Sequence, residues 1–421
     1  MAKPTYDLVV HGASELLTLA GPPGPRTGTA LQELGVVEDG AVAIVDGTIA
    51  RVGTTAELKK LPARRKIDAE GRVVLPGFVD AHSHACFAGS REDELGMKLD
   101  GLSYEEIARQ GGGILSTMRQ TRDASLADLC EETAQRLESM LVHGTTTAET
   151  KSGYALTTKG ELRMLEAIAQ LSREQPVELV PTFLGAHAIP PEFAGKADDY
   201  VTLVVDDMLP AVAASGLARF CDVFVDAGAF NLQQGRRILK AGKALGLAPK
   251  VHADELTRSG GADLAIEVGA VSADHLLQTP EKGLRGLARE GIVGVMLPAT
   301  PFASFMKTYP DGAGMVDKGM AVALGSDLCP NAWSESMQFA LQLAVYRCGL
   351  FVSEAITAAT INAAHAIGRA NAVGSLAPGK QADLLILDAP GYEWLGYRLG
   401  VNLVDTVVKR GKVVVEGGAP V

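Results

Sequence analysis

The chain has 421 residues, 47% of them hydrophobic and 21% charged, so it is long enough for a large barrel with a companion domain and its composition is not that of a disordered protein. Its formal net charge of -11 argues against nucleic acid or an anionic membrane as the main partner, because both attract basic surfaces. We therefore expect a small-molecule substrate.

The cysteines and the N-terminus indicate the compartment. The 5 cysteines show no Cys-x-x-Cys spacing, which argues against a disulfide framework and against a cysteine zinc site. The first residues lack the basic start and apolar stretch of a secretory signal, and no apolar window is long enough to span a bilayer. We expect a cytoplasmic protein.

Both ends of the chain read as short strands. Two β-rich runs within residues 40–53 flank Asp46-Gly47, a strong hairpin signal, and similar runs cover residues 382–388 and 406–415. We predict that residues 1–71 and 375–421 meet in a small β-sandwich domain. Residues 72–374 would then form a separate barrel.

The middle of the chain alternates apolar runs with helix-like stretches, a rhythm typical of a parallel sheet. The predicted strands cover residues 73–80, 145–149, 177–184, 222–225, 249–252, 270–274, 292–297 and 321–325. Eight strands fit a (β/α)8 TIM-like barrel. The competing fold, a doubly wound open sheet, lacks the expected Gly-x-Gly-x-x-Gly after its first strand.

Polar residues follow these apolar runs, and in a barrel such positions converge on the C-terminal mouth, where catalytic groups collect. They are His82, His84, Lys151, His187, Asp226, His252, His275 and Asp327. His82 and His84 are two residues apart on one strand, so both imidazoles face the same way and can share a metal ion. His252, His275 and Asp327 can complete the site, although each histidine taken singly could be structural. This donor set suits zinc or iron.

Other residues near the predicted mouth can handle protons or bind substrate. Glu255 follows His252 by three residues and can carry a proton to a substrate nitrogen, unless it is a solvated loop carboxylate. His275 and Asp327 can hold a water molecule at the ion and take its proton. The candidate substrate-binding residues are Arg91, Tyr104, Tyr154 and His187, with Arg91 able to pair with a carboxylate.

Two further motifs do not support the sites that they first suggest, a phosphate-binding loop and a two-metal centre. The run from Gly374 to Lys380 has phosphate-loop spacing, but Gln381 replaces the required Ser or Thr and a strand follows, so it is read as a turn. Lys151 could suggest a carbamate between two metals, but no other lysine lies where a second ion would need it. We expect a mononuclear site.

Several segments together resemble one family of the amidohydrolase superfamily, the imidazolonepropionases of histidine degradation. The similarity runs nearly end to end. The matching segments are Asp80-Ala81-His82-Ser83-His84, Phe87-Ala88-Gly89-Ser90-Arg91, Ser103-Tyr104-Glu105-Glu106-Ile107-Ala108, Gly111-Gly112-Gly113-Ile114, Lys151-Ser152-Gly153-Tyr154, Phe183-Leu184-Gly185-Ala186-His187-Ala188, His252-Ala253-Asp254-Glu255, Ser272-Ala273-Asp274-His275, Asn362-Ala363-Ala364 and the run from Gly374 to Asp383.

The resemblance implies a role for each residue. It implies one metal ion, zinc or iron, held by His82, His84, His252 and Asp327. Glu255 and His275 would handle protons, while Arg91, Tyr154 and His187 would contact the substrate. The implied reaction is hydrolysis of the ring C–N bond of 4-imidazolone-5-propanoate to N-formimidoyl-L-glutamate.

The segment after Asp327 departs from the family. The family usually reads Asp-x-Asn-Pro-Gly-Ser/Thr, whereas this chain reads Asp327-Leu328-Cys329-Pro330-Asn331-Ala332. We keep Asn331 as a substrate-binding candidate. The departure leaves open a related mononuclear amidohydrolase or deaminase acting on another cyclic amide or amidine, and a non-catalytic relative is a third hypothesis. We also expect a homodimer.

Overall fold

The strands of the protein follow the apolar runs of its sequence. The computed structural model describes residues 5–102 and 104–421, without the side chains of residues 104, 105 and 108. Its strands are β1 Tyr6–Leu17, β2 Val36–Val45, β3 Thr48–Thr54, β4 Ala63–Asp68, β5 Val74–Pro76, β6 Phe78–Asp80, β7 Thr145–Lys151, β8 Glu178–Ala186, β9 Phe220–Val225, β10 Ala248–Ala253, β11 Ser272–His275, β12 Val293–Met296, β13 Val322–Leu324, β14 Leu384–Leu387, β15 Val404–Lys409, β16 Lys412–Glu416 and β17 Ala419–Pro420.

Helices fill most of the connections between strands. They are α1 Thr55–Leu58, α2 Asp93–Leu99, α3 Tyr104–Arg109, α4 Ile114–Asp123, α5 Leu126–Val142, α6 Thr158–Glu174, α7 Ala197–Leu203, α8 Leu209–Ser215, α9 Leu232–Ala244, α10 Gly261–Val268, α11 Glu281–Arg289, α12 Ala299–Ala303, α13 Gly312–Asp317, α14 Met337–Cys348, α15 Val352–Ala358, α16 Ile361–Ala366 and α17 Trp394–Tyr397. Gly28–Gln32 and Pro191–Phe193 are short 3-10 turns, and Val204–Met208 is a π-helical turn.

Capping residues at the N-termini of the helices help to explain why these segments are helical. At the start of α5, Ser125 and Asp128 form a reciprocal capping box, which satisfies two backbone N–H groups that the helix leaves unpaired. Asn231 caps α9 in the same way, together with Gln234. None of the helices in the described segments has both the length and the apolar character that a bilayer crossing requires.

The middle of the chain forms the predicted barrel. β6 to β13 lie in sequence order in one sheet of the described residues, and every neighbouring pair is parallel. The N–H of Ala81, just after β6, donates to the carbonyl oxygen of Leu324 in β13 at 3.2 Å, which brings the first and last strands together. Apolar side chains such as Val79, Val295 and Ala323 fill the interior. The predicted (β/α)8 architecture is confirmed.

The two ends of the chain meet, as predicted, in a second sheet. Its strand order is β17-β16-β15-β14-β5-β1-β2-β3, with β4 pairing to β1. Within the described residues these strands form one continuous sheet, and its own apolar core includes Val10, Val42 and Ile386. This sheet, built from both ends of the chain, is the domain predicted as a small β-sandwich. The domain limits at residues 71/72 and 374/375 stay a prediction.

The apolar run over residues 73–80 supplies strands to both sheets. β5 pairs with β14 and β1 in the terminal sheet, whereas β6 pairs with β7 in the barrel. Gly77 separates them, and a Cβ atom there would lie 2.3 Å from Oγ1 of Thr146. Close backbone approach therefore requires glycine at the point where the chain passes between sheets.

Candidate metal centre and active site

Three imidazoles and one carboxylate converge at the C-terminal mouth of the barrel. Nε2 of His84 lies 3.3 Å from Nε2 of His82 and 3.5 Å from Nε2 of His252. Oδ1 of Asp327 lies 3.5 Å from Nε2 of His82 and 3.4 Å from Nε2 of His84. Donor atoms bound to one tetrahedral ion at 2.0–2.1 Å lie about 3.4 Å apart. The donors therefore fit a single metal ion.

The protonation of these imidazoles also suits metal binding. Burial lowers the pKa values of His82, His84 and His275 well below the usual value, and neighbouring cationic groups add to this effect. Neutral imidazole is the form that donates a lone pair to a metal. The side chains are therefore ready to bind an ion without first losing a proton.

Asp80 joins the loops that carry the ligands. Its Oδ1 accepts the backbone N–H of His82 at 3.2 Å and that of Ser326 at 2.9 Å. Gly325 brings the same two segments into contact, because a Cβ atom there would lie 2.9 Å from the backbone nitrogen of His82. The distance between the ends of β6 and β13 is therefore fixed by the Asp80 carboxylate and by the close backbone approach at Gly325.

Two site residues adopt an uncommon backbone conformation. His275 has φ +75° and Asp327 has φ +49°, in the left-handed region that non-glycine residues seldom occupy. Each lies at or just beyond the end of a barrel strand, where the chain turns away from the sheet. Such local strain is concentrated at functional sites, where the surrounding structure holds it in place.

A buried ionic network lies beside the candidate metal ligands inside the barrel. Nζ of Lys151 lies 2.6 Å from Glu149 and 2.9 Å from Asp222, while Nζ of Lys250 lies 3.5 Å from Asp274 and 3.6 Å from Glu149. All five side chains are fully buried. Burial opposes the charge on Lys151, but Asp222, Glu149 and Asp274 overcome it and raise its pKa above the usual value.

This network reaches the metal ligands through their second ring nitrogens. Nδ1 of His82 lies 2.6 Å from Oδ2 of Asp274, and Nδ1 of His252 lies 3.0 Å from Oδ2 of Asp222. Carboxylates in this position fix the tautomer and orientation of a metal-binding histidine. The network thus aims both Nε2 atoms at the metal position.

Glu255 lies next to the metal cluster. Its Oε2 is 3.6 Å from Nε2 of His275, and burial together with the Asp327 and Asp226 carboxylates raises the pKa of Glu255 to about 8. Asp226 holds the Glu255 loop, because its carboxylate accepts the N–H of Leu256 at 2.8 Å and the hydroxyl of Thr257 at 2.6 Å. Glu255 is therefore a positioned acid that is protonated at neutral pH.

Aromatic side chains cover one side of the cluster. The ring of His187 stacks on His84 with centroids 4.9 Å apart and planes at 16°. Tyr154 is buried, and its ring lies 5.1 Å from His187 and 5.8 Å from His84. Nδ1 of His187 contacts the carbonyl oxygen of Gly153 at 3.1 Å. These residues form an aromatic wall beside the metal position.

A polar cluster lies near the same mouth. The Nε and Nη2 atoms of Arg91 donate to Glu94 at 2.9 and 2.7 Å, so the bidentate carboxylate partner in this structure is Glu94. Lys98 donates to Oδ1 of Asn331 at 2.9 Å, and Nδ2 of Asn331 donates to Ser304 at 2.9 Å. The side chain of the fifth predicted substrate-binding residue, Tyr104, lies outside the described residues.

Known proteins give the site its context. An amidohydrolase family model matches residues 275–414. Imidazolonepropionase of Symbiobacterium thermophilum is 49% identical over 418 residues, covering 98% of each chain, and that of Geobacillus kaustophilus is 48% identical with the same coverage. The chain belongs to the imidazolonepropionase family.

The fold is shared more widely than the imidazolonepropionase sequence. The crystal structure of an adenosine deaminase from Xanthomonas campestris with bound zinc superimposes with a TM-score of 0.74, at 18% identity, and the match covers 100% of this chain and 95% of that one. At this identity the likeness concerns the fold alone. The same fold therefore occurs in a deaminase whose sequence is only 18% identical to this chain.

Most of the residues predicted from the sequence come together in this imidazolonepropionase family member. Ligand atoms of His82, His84 and His252 lie within 4.8 Å of one another, as do those of His82, His275 and Asp327, and Glu255 lies beside His275. Tyr154 and His187 line the cluster, whereas Arg91 and Asn331 belong to the polar cluster nearby. The family and the donor geometry together support a bound metal. The individual roles of these residues stay predictions.

The buried network of this imidazolonepropionase family member was missed at the level of sequence. Its signal is alternation, because Glu149 and Lys151 are two residues apart on one strand, as are Lys250 and His252. Residues two apart on a strand share a face of the sheet. A charged residue two positions before a metal-binding candidate at the strand end therefore points into the barrel interior, as the candidate does. Thr300, whose hydroxyl donates to Asp327, was also missed and has no such pattern.

The network predicts a large stability loss for Lys151→Met. The substitution leaves Glu149, Asp222 and Asp274 with only the Lys250 ammonium among the described residues, and breaking a buried ion pair costs about 3–5 kcal/mol. Urea unfolding of the variant should show a free energy of unfolding lower by about that amount.

The matched control is Lys59→Met, because the Lys59 side chain is 56% exposed and its ion pair with Asp68 lies at the surface. That variant should lose less than about 1 kcal/mol. Equal stability of Lys151→Met and the unmodified protein would contradict the charge balance described above.

Proposed function

We propose that this chain hydrolyses the ring C–N bond of 4-imidazolone-5-propanoate to N-formimidoyl-L-glutamate, a step of histidine degradation. The observation that carries the proposal is the convergence of four metal donors beside a protonated carboxylic acid, in a chain 49% identical to an imidazolonepropionase over 98% of its length. The reaction adds water to the ring carbonyl carbon, breaks the C–N bond and protonates the departing nitrogen.

The proposed metal site is mononuclear, with zinc or iron held by His82, His84, His252 and Asp327. A bound ion of this kind polarises a carbonyl group and lowers the pKa of water toward neutrality. Lys151 supports a single-ion site, since its Nζ lies within 2.9 Å of two carboxylates and is engaged in ion pairs. Elemental analysis should find about one ion per subunit.

Glu255 is the proposed proton donor to the departing ring nitrogen. Its pKa of about 8 keeps it protonated at neutral pH, and an acid with a pKa near the working pH is effective in proton transfer. His275 is neutral, and its Nε2 lies 3.6 Å from Glu255, so it can accept a proton at that atom and exchange it with the carboxyl.

The proposed substrate contacts follow from the wall and the polar cluster. His187 and Tyr154 can pack against the flat imidazolone ring, because both rings lie within 6 Å of His84. Burial and the nearby His252 lower the pKa of His187 to about 3, so it remains neutral against a neutral ring. Arg91, Tyr104 and Asn331 are proposed to lie toward the substrate side chain.

A turnover assay tests the proposal. The pure protein, loaded with zinc or with iron, is incubated with 4-imidazolone-5-propanoate, and the ultraviolet absorbance of the ring is followed. We expect the absorbance to fall and mass spectrometry to identify N-formimidoyl-L-glutamate. No absorbance loss with either metal would reject the function.

A second candidate is a related amidohydrolase or deaminase acting on another cyclic amide or amidine. The observation that favours it is the segment after Asp327, where buried Cys329 and the Asn331–Lys98 contact create a different pocket chemistry from that expected for the family. Ammonia release from purines or pyrimidines, in the absence of imidazolone turnover, would support this candidate.

We further propose a homodimer in the cytoplasm. Phe302, Phe305, Tyr346 and Leu399 line one apolar cavity and are each more than half exposed, which supports a subunit interface at this surface. The 5 cysteines are all free thiols, in keeping with a reducing compartment. Light scattering should give twice the 44.0 kDa chain mass, and Phe305→Glu should lower it.

A further inference from the structure

Arg91 is already balanced by a carboxylate within its own segment. Its guanidinium donates to both oxygens of Glu94, and Oε1 of Glu94 also accepts the backbone N–H of Gly113 at 2.6 Å. Both side chains are buried, with exposures of 9% and 5%. An arginine with a bidentate carboxylate partner adds little net positive charge to its surroundings. A second cation is therefore needed if this region is to attract an anion.

Lys98 is that cation. It follows Glu94 by four residues in α2, so the two side chains lie on the same helix face. Nζ of Lys98 lies 2.9 Å from Oδ1 and 3.5 Å from the carbonyl oxygen of Asn331, both uncharged acceptors. Among the described side chains, which do not include those of residues 103–105 and 108, no carboxylate oxygen is paired with this ammonium within 4.0 Å. The positive charge is held in place but not neutralised.

Asn331 connects Lys98 to the metal site. It lies four residues after Asp327, in a tight turn closed by backbone hydrogen bonds between Cys329 and Ala332 at 3.1 and 3.3 Å. Its Nδ2 donates to Ser304, which directly follows α12, the helix that supplies the Thr300 contact to Asp327. Lys98 is thus anchored to the two segments that also position a proposed metal ligand.

The electrostatics agree with this placement. Half-burial lowers the pKa of Lys98, and the charge of Arg91 lowers it further, while Glu94 and Cys329 oppose the change. The Arg91–Glu94 pair and the Lys98–Asn331 contact therefore belong to one polar cluster near the barrel mouth.

We propose that Lys98 supplies the net positive charge that holds the carboxylate of the substrate's propanoate side chain, with Asn331 fixing its Nζ and the Arg91–Glu94 pair lying alongside. Two of the three ammonium donors contact Asn331, and the third is the donor to the carboxylate. The inference rests on the proposed function, because it takes the substrate to carry a side-chain carboxylate.

A binding experiment tests Lys98 without requiring turnover. The metal-loaded protein is titrated by calorimetry with imidazole-4-propanoate and with its primary amide, which has the same shape and no charge. Lys98→Met keeps most of the aliphatic stem and removes the charge. We expect the dissociation constant of the acid to rise about 10- to 100-fold, the usual contribution of a hydrogen bond to a charged group. The constant for the amide should change less than about twofold.

Two further variants separate charge from structure. Lys98→Arg keeps the charge and should retain most of the affinity for the acid, whereas Lys59→Met removes a distant exposed lysine and should change neither constant. Equal weakening of acid and amide by Lys98→Met would indicate a structural role for Lys98 and overturn the inference. Unchanged affinity for the acid would overturn it as well.

The outcome of this titration is distinct from that of the turnover assay. If the unmodified protein turns over imidazolone propanoate but Lys98→Met binds the acid normally, this inference fails and the proposed function stands. If the unmodified protein neither turns over the imidazolone nor prefers the acid over the amide, both fail.

Discussion

His252→Ala is expected to lose its metal ion and at least about 1000-fold in kcat/KM. His252 is one of the four proposed donors, and its Nε2 lies 3.5 Å from that of His84, so its removal leaves an open side in the cluster. An ion that polarises a carbonyl contributes several kcal/mol to transition-state stabilisation, and each 1.36 kcal/mol corresponds to about tenfold in rate. Elemental analysis and the imidazolone turnover assay measure the two losses.

The matched control is His143→Ala. His143 follows α5 and contacts the carbonyl oxygen of Ser139 at 2.8 Å, and it lies outside the metal cluster. This variant should keep about one ion per subunit and normal turnover. Full metal content in His252→Ala would show that His252 is not a ligand, and the proposed donor set would then be wrong.

Much of the barrel could be predicted because parallel strands covered on both faces are nearly continuous apolar runs. The run over residues 249–252 became β10, Ala248–Ala253, and the run over 292–297 became β12, Val293–Met296. The split of residues 73–80 was not predicted, although Pro76-Gly77 in the middle of the run is a turn signal, because the apolar residues on both sides read as one strand. It depends on the close approach of Gly77 to Thr146, a residue nearly seventy positions away.

The part of the site that could be predicted consists of residues at the ends of barrel strands. His82, His252 and Asp327 lie at strand ends, and any barrel brings such ends together. The pairing of Arg91 with Glu94, three residues later, was not predicted. The sequence does not show whether an arginine binds a carboxylate of the protein or a carboxylate of the substrate. The Lys98–Asn331 contact joins residues 233 positions apart, so only the folded structure reveals it.

Glu255→Gln should keep the metal ion and lose about 100- to 10,000-fold in kcat, the usual contribution of a general acid. The side-chain amide of the introduced glutamine has nearly the same shape as the Glu255 carboxyl group, but it cannot deliver a proton to the departing ring nitrogen. Since Glu255 belongs to neither group of candidate metal ligands, elemental analysis should still give about one ion per subunit. A metal-free variant would contradict this division between metal binding and proton transfer.

The pH dependence of kcat/KM provides an independent check on the same residue. Burial and the Asp327 and Asp226 carboxylates raise the pKa of Glu255 to about 8, so the proton-donating form predominates below that pH and is lost above it. The unmodified protein should therefore lose activity as the pH rises through about 8. Because glutamine does not titrate, the residual activity of Glu255→Gln should lack this decline. If both proteins show a decline of the same size, the titrating group is not Glu255.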